Sequence, residues 1–322
     1  MNTPQQSLHA SRRWKLWEPV LWLLALASPF LLSTHALIIN EIAIVALFAV
    51  SLDLILGYTG IVSLGHAAFF GMGAYAAALF AKLVMPDPLV GLVFGVAVAT
   101  VVGALCSFTI MRGSDLTRLM VTLGVALILM ELANRLDWLT GGADGLQGVV
   151  MGPVLGRFAF DLQGQVAATY SLLVLLVFFI VVRRLVNSVF GATLMAIRDN
   201  RLRAMAIGIP VTSRLAVIYT VAAGVAGAAG ALLAQTTGFA STDLFAFDRS
   251  ADLMLLLVIG GTGWLYGGVA GAVVFKIMQD LISSITPQYW TFWIGLFLVV
   301  LVLVGRERLI RPWTWVSRGK KS

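Results

Sequence analysis

Pro88-Leu-Val-Gly-Leu-Val-Phe-Gly-Val-Ala-Val-Ala-Thr-Val-Val-Gly-Ala-Leu-Cys-Ser-Phe-Thr-Ile-Met111 carries no charged side chain and is closed by Arg112. A helix rises about 1.5 Å per residue, so a run of this length crosses the roughly 30 Å hydrocarbon core of a bilayer. The pattern recurs on both sides of it. Hydropathy predicts ten spans, near 18–39, 40–57, 61–84, 88–111, 117–138, 167–186, 214–236, 251–265, 267–285 and 290–305. The eighth and ninth are short and divided only by glycines, so they read either as two crossings or as one re-entrant element. A spanning segment must satisfy its own backbone hydrogen bonds, and the alternation of a barrel strand is missing here. The predicted fold is therefore an all-α integral membrane protein, a polytopic bundle of about 8–10 transmembrane helices.

Composition agrees. Hydrophobic residues make up 60% of the chain and charged residues 11%, too little polar surface for a soluble globule of this size. The net charge of +7 comes from Lys and Arg at the ends of apolar runs, which excludes a nucleic-acid surface and predicts contact with the lipid bilayer. The single Cys106 sits in an apolar run as a small packed residue. Arg12, Arg13 and Lys15 precede an apolar stretch too long for a cleaved signal core, so the first span is read as a retained signal anchor.

The basic clusters fix the expected orientation. Arg12, Arg13 and Lys15, then Arg112 and Arg118, then Arg183, Arg184, Arg198, Arg201 and Arg203, and finally Arg306, Arg308, Arg311, Arg318, Lys320 and Lys321 all fall on one side of a ten-span layout. That side is cytoplasmic by the positive-inside rule. The opposite loops, around Asp87, 139–166 and 237–250, are poor in Lys and Arg and carry Asp144, Asp161, Asp243 and Asp248. The layout divides the chain into a cytoplasmic tail over 1–17, a transmembrane domain over 18–305 with a long cytoplasmic loop at 187–213, and a basic tail over 306–322.

Small residues stand four apart at Gly263, Gly267 and Gly271, at Ala223, Gly227 and Ala231, and at Ala226, Gly230 and Ala234. Such stripes predict close helix contacts. Gly57-Tyr-Thr-Gly60 leading to Gly65 through Gly73 resembles Gly260-Gly-Thr-Gly263 leading to Gly267 and Gly271. Two readings stand: corresponding parts of pseudo-symmetric halves with interrupted helices near a substrate path, or recurrence by chance in a glycine-rich chain.

The chain has no phosphate loop, no H-E-x-x-H, no C-x-x-C and no G-x-S-x-G. His9, His35 and His66 lie on separate segments, so no metal site is expected. Any ATP hydrolysis belongs to another chain. Within the predicted spans, Asp53 precedes Tyr58, Ser63 and His66 across the turn at Gly60. This set, with Gly260, Gly261 and Gly263, is read as a substrate path or gate, or as a hydrogen-bond cluster holding the turn. Glu131 lies toward the outer end of the fifth span beside Asn134 and Arg135, as a candidate substrate contact, and Lys276 is expected to pair with Asp280 one turn on. In the long basic loop, Thr193 to Ala206 predicts one short helix stopped by Gly208 and Pro210, lying along the membrane with Arg198, Asp199 and Arg203 on its polar face. It docks a soluble partner or rests on headgroups.

The run Ser51-Leu-Asp-Leu-Ile-Leu-Gly-Tyr-Thr-Gly-Ile-Val-Ser-Leu-Gly-His-Ala-Ala-Phe-Phe-Gly-Met-Gly-Ala-Tyr75 resembles the hallmark of the branched-chain amino acid ABC-transporter permeases. So do Leu139-Thr-Gly-Gly-Ala-Asp-Gly145, Ala196-Ile-Arg-Asp-Asn200 with Gly208, and Gly260-Gly-Thr-Gly263 with Tyr266-Gly267, in the same order across roughly residues 40–305. The resemblance implies a bacterial inner-membrane subunit with both termini cytoplasmic and no ATPase site of its own. Its implied partners are a second homologous permease, two ATP-binding-cassette ATPases that use ATP and Mg, and a periplasmic substrate-binding protein. Ala196, Arg198, Asp199, Asn200, Arg203 and Gly208 match the loop through which such permeases contact the ATPase. Many relatives carry a Glu near Ala204 or Met205, where this chain has no acidic residue, so its contacts there differ from theirs in detail while the docking role implied by the resemblance is the same. Relatives also import urea, amides and aromatic acids. Two other classes are an ion-coupled secondary carrier using Asp53, Glu131 and His66, and a membrane enzyme, for which no paired catalytic constellation is found.

Overall fold

A computed structural model describes residue 15, residues 17–289 except 112, 114 and 162, and residues 292–297 and 299. Arg12, Arg13, His9, Arg112, the basic tail 306–322 and most of the predicted tenth span lie outside the described residues. The rest is a polytopic helical membrane bundle. Its main helices are α1 (Trp17–Leu31), α2 (Ala36–Thr59), α3 (Ala67–Leu83), α4 (Pro88–Ile110), α5 (Asp115–Arg135), α6 (Gln165–Val186), α7 (Val189–Asp199), α8 (Arg201–Ala206), α9 (Val211–Thr237), α10 (Phe247–Gly260) and α11 (Leu265–Ile285). Six of them, α2, α4, α5, α6, α9 and α11, are long and apolar enough to cross a membrane, and α1 and α3 are shorter apolar helices.

Local chemistry sets the ends. Asp87 caps α4 by accepting from Leu89 N at 2.9 Å and Val90 N at 3.1 Å, with Pro88 in the first turn where its missing N–H costs nothing. Asp161 accepts from Gln165 N at 3.0 Å and Val166 N at 2.9 Å at the start of α6. Gly60, at φ 73°, closes α2 in the left-handed region that a side chain disfavours.

Helix α9 is the centre. It packs most extensively on α4 and α3, and its alanines and glycines let the backbones approach. A Cβ on Gly73 of α3 would collide with the Gly227 backbone, one on Gly230 with the Phe70 carbonyl of α3, and one on Gly103 of α4 with Ala223. Both predicted stripes on α9 are therefore contact faces. The third is corrected: Gly267 and Gly271 face α10, but Gly263 sits in the turn before α11 at φ 77°. Outward faces are apolar, with Val93, Val101, Leu105 and Phe108 of α4 and Met120, Leu127 and Ile128 of α5 exposed, as lipid contact requires.

One end of the bundle carries Arg183, Arg184, Arg198, Arg201 and Arg203; we call it the basic end. Here buried Glu18 of α1 pairs with Arg183 of α6. Near the opposite end a buried polar chain ties four helices. Ser171 Oγ donates to Asn40 Oδ1 at 2.6 Å, Asn40 Nδ2 to Thr236 Oγ1 at 3.1 Å, and Gln235 Nε2 to Pro88 O at 2.6 Å.

Three further expectations are corrected. The span predicted over 61–84 is helical only from Ala67; residues 60–66 re-enter the bundle without regular structure. The single helix predicted over 193–206 is two helices broken at Asn200, which is extended (φ −159°, ψ 103°) and caps α8 by accepting from Arg203 N at 2.9 Å. A side chain that serves the backbone at a helix start competes with its own place in a continuous helix. Asn200→Ala is expected to cost α8 about 1 kcal/mol, read as faster amide exchange over residues 201–206. Finally, Lys276 pairs with Glu41 of α2 at 2.9 Å and not with Asp280.

Candidate functional site: the junction at the basic end

Two loops and one helix meet where α2 ends. The Arg198 guanidinium, from the last turn of α7, donates to the Gly57 carbonyl, one of the terminal carbonyls an α-helix leaves without an internal partner. Across the same turn, Asp53 Oδ1 accepts from Gly263 N at 2.8 Å. Tyr58, buried in the last turn of α2, lies beside this turn. Helix α2 thus holds the basic loop through its carbonyl end and the α10–α11 turn through its carboxylate.

Glycine makes the approach possible. A Cβ on Gly57 would collide with Asp53 and the Gly263 backbone, and one on Gly263 would lie 2.9 Å from Arg198 Nη1. A Cβ on Gly60 would lie 3.4 Å from Arg198 Cγ. Asp53 is buried, and Arg198 is the cation facing it. An isolated carboxylate in this setting is costly, so each partner stabilises the other in place. The two glycine segments that look alike in sequence, 57–60 and 260–263, therefore face each other with Arg198 against both.

Deeper in the bundle the re-entrant segment finds its partners. Its start at Gly60 is level with the end of α2, and Ser51 Oγ, eight residues back on that helix and about 12 Å inward, meets His66 Nε2 at 2.8 Å. Ala67 N, first in α3, donates to Ser250 Oγ of α10 at 3.0 Å, and Leu64 N donates to Thr122 Oγ1 of α5 at 3.3 Å. Backbone N–H groups inside a membrane must be satisfied by protein, and these hydroxyls do so. The sequence reading assigns no role to Ser51, Thr122 or Ser250. Their only signal is a hydroxyl inside an apolar run, which is common and weak.

The set read as substrate path or gate thus divides. Asp53, Tyr58, Gly60, Gly261 and Gly263 belong to the junction, while Ser63 and His66 are buried farther in, with His66 stacked on Phe48 at 5.8 Å between centroids. Gly260 packs against the Gly267 and Gly271 backbone in the α10–α11 hairpin. Of the loop residues, Arg198 reaches the junction, while Asp199, Asn200, Arg203 and Gly208 are exposed and Ala196 is half-buried. Leu202 is 76% and Ile207 70% exposed beside them, leaving an apolar surface among the arginines. Glu131 is exposed and pairs with Arg135 at 2.6 Å on its own helix. Among the described residues no group of three or more His, Cys, Asp or Glu is placed to hold a metal.

The family model described as the permease component of branched-chain amino acid transport systems matches residues 35–304. The high-affinity branched-chain amino acid transport system permease protein LivM of Salmonella typhimurium is 26% identical, over 93% of this chain and 75% of its own length. LivM of Escherichia coli is 25% identical with the same coverage. A fructose import permease protein, FruG of Bifidobacterium longum, is 30% identical over 36% of each chain. No solved structure matches the chain.

Proposed function

The chain belongs to the permease-component family of branched-chain amino acid transport systems, and we propose that it is a transmembrane subunit of an ATP-binding-cassette importer. Its cargo in this reading is a branched-chain or related amino acid, moved into the cytoplasm by alternating access. A second permease, two ATPases that use ATP and Mg, and a periplasmic binding protein complete the transporter. The basic end faces the cytoplasm of a bacterial inner membrane, because the arginines gather there, and both termini lie on that side.

One observation carries the reading: α7 touches the spanning bundle through Arg198 at the foot of α2, beside the Asp53–Gly263 bond. A movement imposed on α7 and α8 from outside is delivered to α2, and through Asp53 to the α10–α11 turn. The exposed Leu202, Met205 and Ile207 supply the apolar contact that an ATPase groove needs, and Arg203 the charge around it. Urea, amides and aromatic acids stay within the chemistry that this architecture admits, and the binding protein is expected to choose among them.

The test is uptake of radiolabelled leucine into proteoliposomes holding this chain with its candidate permease and ATPase partners, binding protein outside and ATP inside. Accumulation that requires ATP and the binding protein is the expected result. Uptake driven by an ion gradient alone, without ATP or partners, would overturn the importer reading in favour of a secondary carrier. If leucine fails while urea, an amide or an aromatic acid accumulates, the importer stands and the cargo is corrected.

A further inference from the structure

A charged cleft opens between α2, α10 and α11, on residues to which the sequence reading gives no role in transport. Its walls enclose about 80 Å³, and it opens outward through a wide mouth. Its polar groups are Arg249 and Asp252 of α10 and Lys276 and Gln279 of α11. Its apolar wall includes Phe48, Phe70, Leu253, Leu256 and Phe275, and the Phe48 and Phe70 rings stack at 4.4 Å between centroids.

Depth makes these charges informative. Lys276 lies eleven residues past Leu265, about 16 Å along a helix that spans the membrane. A cation there is costly unless paired or wetted. Glu41 pairs with it at 2.9 Å from α2, so that charge is balanced. Arg249 and Asp252, one turn apart on α10, line the cleft without an ion pair between them among the described residues, and Lys276 is the second cation on the cleft wall near Asp252. Both are exposed to the cleft side of the helix, in its first two turns, and the buried Gln279 Oε1 has no hydrogen-bond partner in the structure. An opposed, unjoined cation and anion above an apolar wall is complementary to a zwitterion with a greasy side chain.

We propose that this cleft is a station on the cargo path, taking a free amino acid with an apolar side chain. Asp252 receives the ammonium, Arg249 and the amino end of α10 receive the carboxylate, and Phe48, Leu253 and Phe275 receive the side chain. The sequence reading misses Asp252 because it falls within a predicted span, and Arg249 because it closes a loop counted as poor in basic residues. The inference rests on the importer reading.

Its test uses the complete transporter in proteoliposomes and follows leucine uptake and ATP hydrolysis together. Asp252→Asn and Arg249→Gln are each expected to lower uptake about ten-fold or more, the scale of one lost charge-assisted hydrogen bond. Stimulation of hydrolysis by leucine-loaded binding protein should persist in both, and Asp252→Glu should recover part of the uptake. Unchanged uptake in both neutral variants, with ATP-dependent uptake in the unsubstituted complex, overturns the cleft and leaves the importer standing. Loss of hydrolysis and of assembly on gel filtration in both makes the cleft a subunit contact, which also overturns it. Absence of ATP-dependent uptake of leucine, urea, amides and aromatic acids alike in the unsubstituted complex overturns the importer reading and the cleft with it, whereas uptake of one of the others without leucine overturns the cleft alone.

Discussion

Replacing Arg198 by Ala is expected to cut ATP-driven uptake at least about ten-fold while the assembled transporter goes on hydrolysing ATP. The guanidinium is the group that joins α7 to the Gly57 carbonyl, and it faces the buried Asp53 carboxylate, which in turn holds Gly263 N. Alanine removes the link and leaves that carboxylate without its nearest cation. Movement of the loop then no longer reaches α2 and the α10–α11 turn. Arg198→Lys should fall between the two, because an ammonium on a flexible stem keeps the charge but not the planar set of donors. The measurement is the ratio of leucine moved to ATP hydrolysed in proteoliposomes. A proportional fall in both, or no change in either, would sink the coupling role of this residue.

Gly230→Leu should be the most damaging substitution for the fold itself. A Cβ at this position already collides with the Phe70 carbonyl of α3 and lies 3.0 Å from Ala74 N. Backbone atoms at that contact have no rotamer to change, so α9 and α3 must separate. In lipid, helices gain no hydrophobic advantage by touching and depend on close packing for association. A cost of about 3 kcal/mol or more is expected from overpacking against backbone, seen as loss of the monodisperse peak and of thermal stability in detergent. Gly124→Leu is the control, since nothing lies within 4 Å of a Cβ built there on α5. Equal behaviour of the two variants would show that the α3–α9 contact is not what holds the centre together.

Much of this was legible in the sequence. Where an apolar run is long enough to span, length and charge decide the matter locally, and most spans were placed to within a few residues. The glycine segments and Arg198 stand out in the sequence, because a basic loop with good helical propensity and two alike turns contrast with an apolar background, and the structure brings them together. The stripes on α9 were legible as contacts, although the partner on each face was not. Where a polar side chain serves a distant backbone, as Ser250 serves Ala67, nothing in its neighbours reveals it.

The sequence by itself determined that this is a many-helix membrane protein of one transporter family. Bilayer thickness and the cost of an unpaired peptide group act on each segment separately, whatever its neighbours do. Only the tertiary structure decided that Arg198 meets Gly57, that the 60–66 segment enters the bundle before α3 begins, and that Lys276 takes Glu41 in place of Asp280. Spacing along one helix offers Lys276 a partner one turn away. A carboxylate brought close by the packing of α2 against α11 took precedence, because contacts between helices depend on which faces are pressed together, and no single segment encodes that.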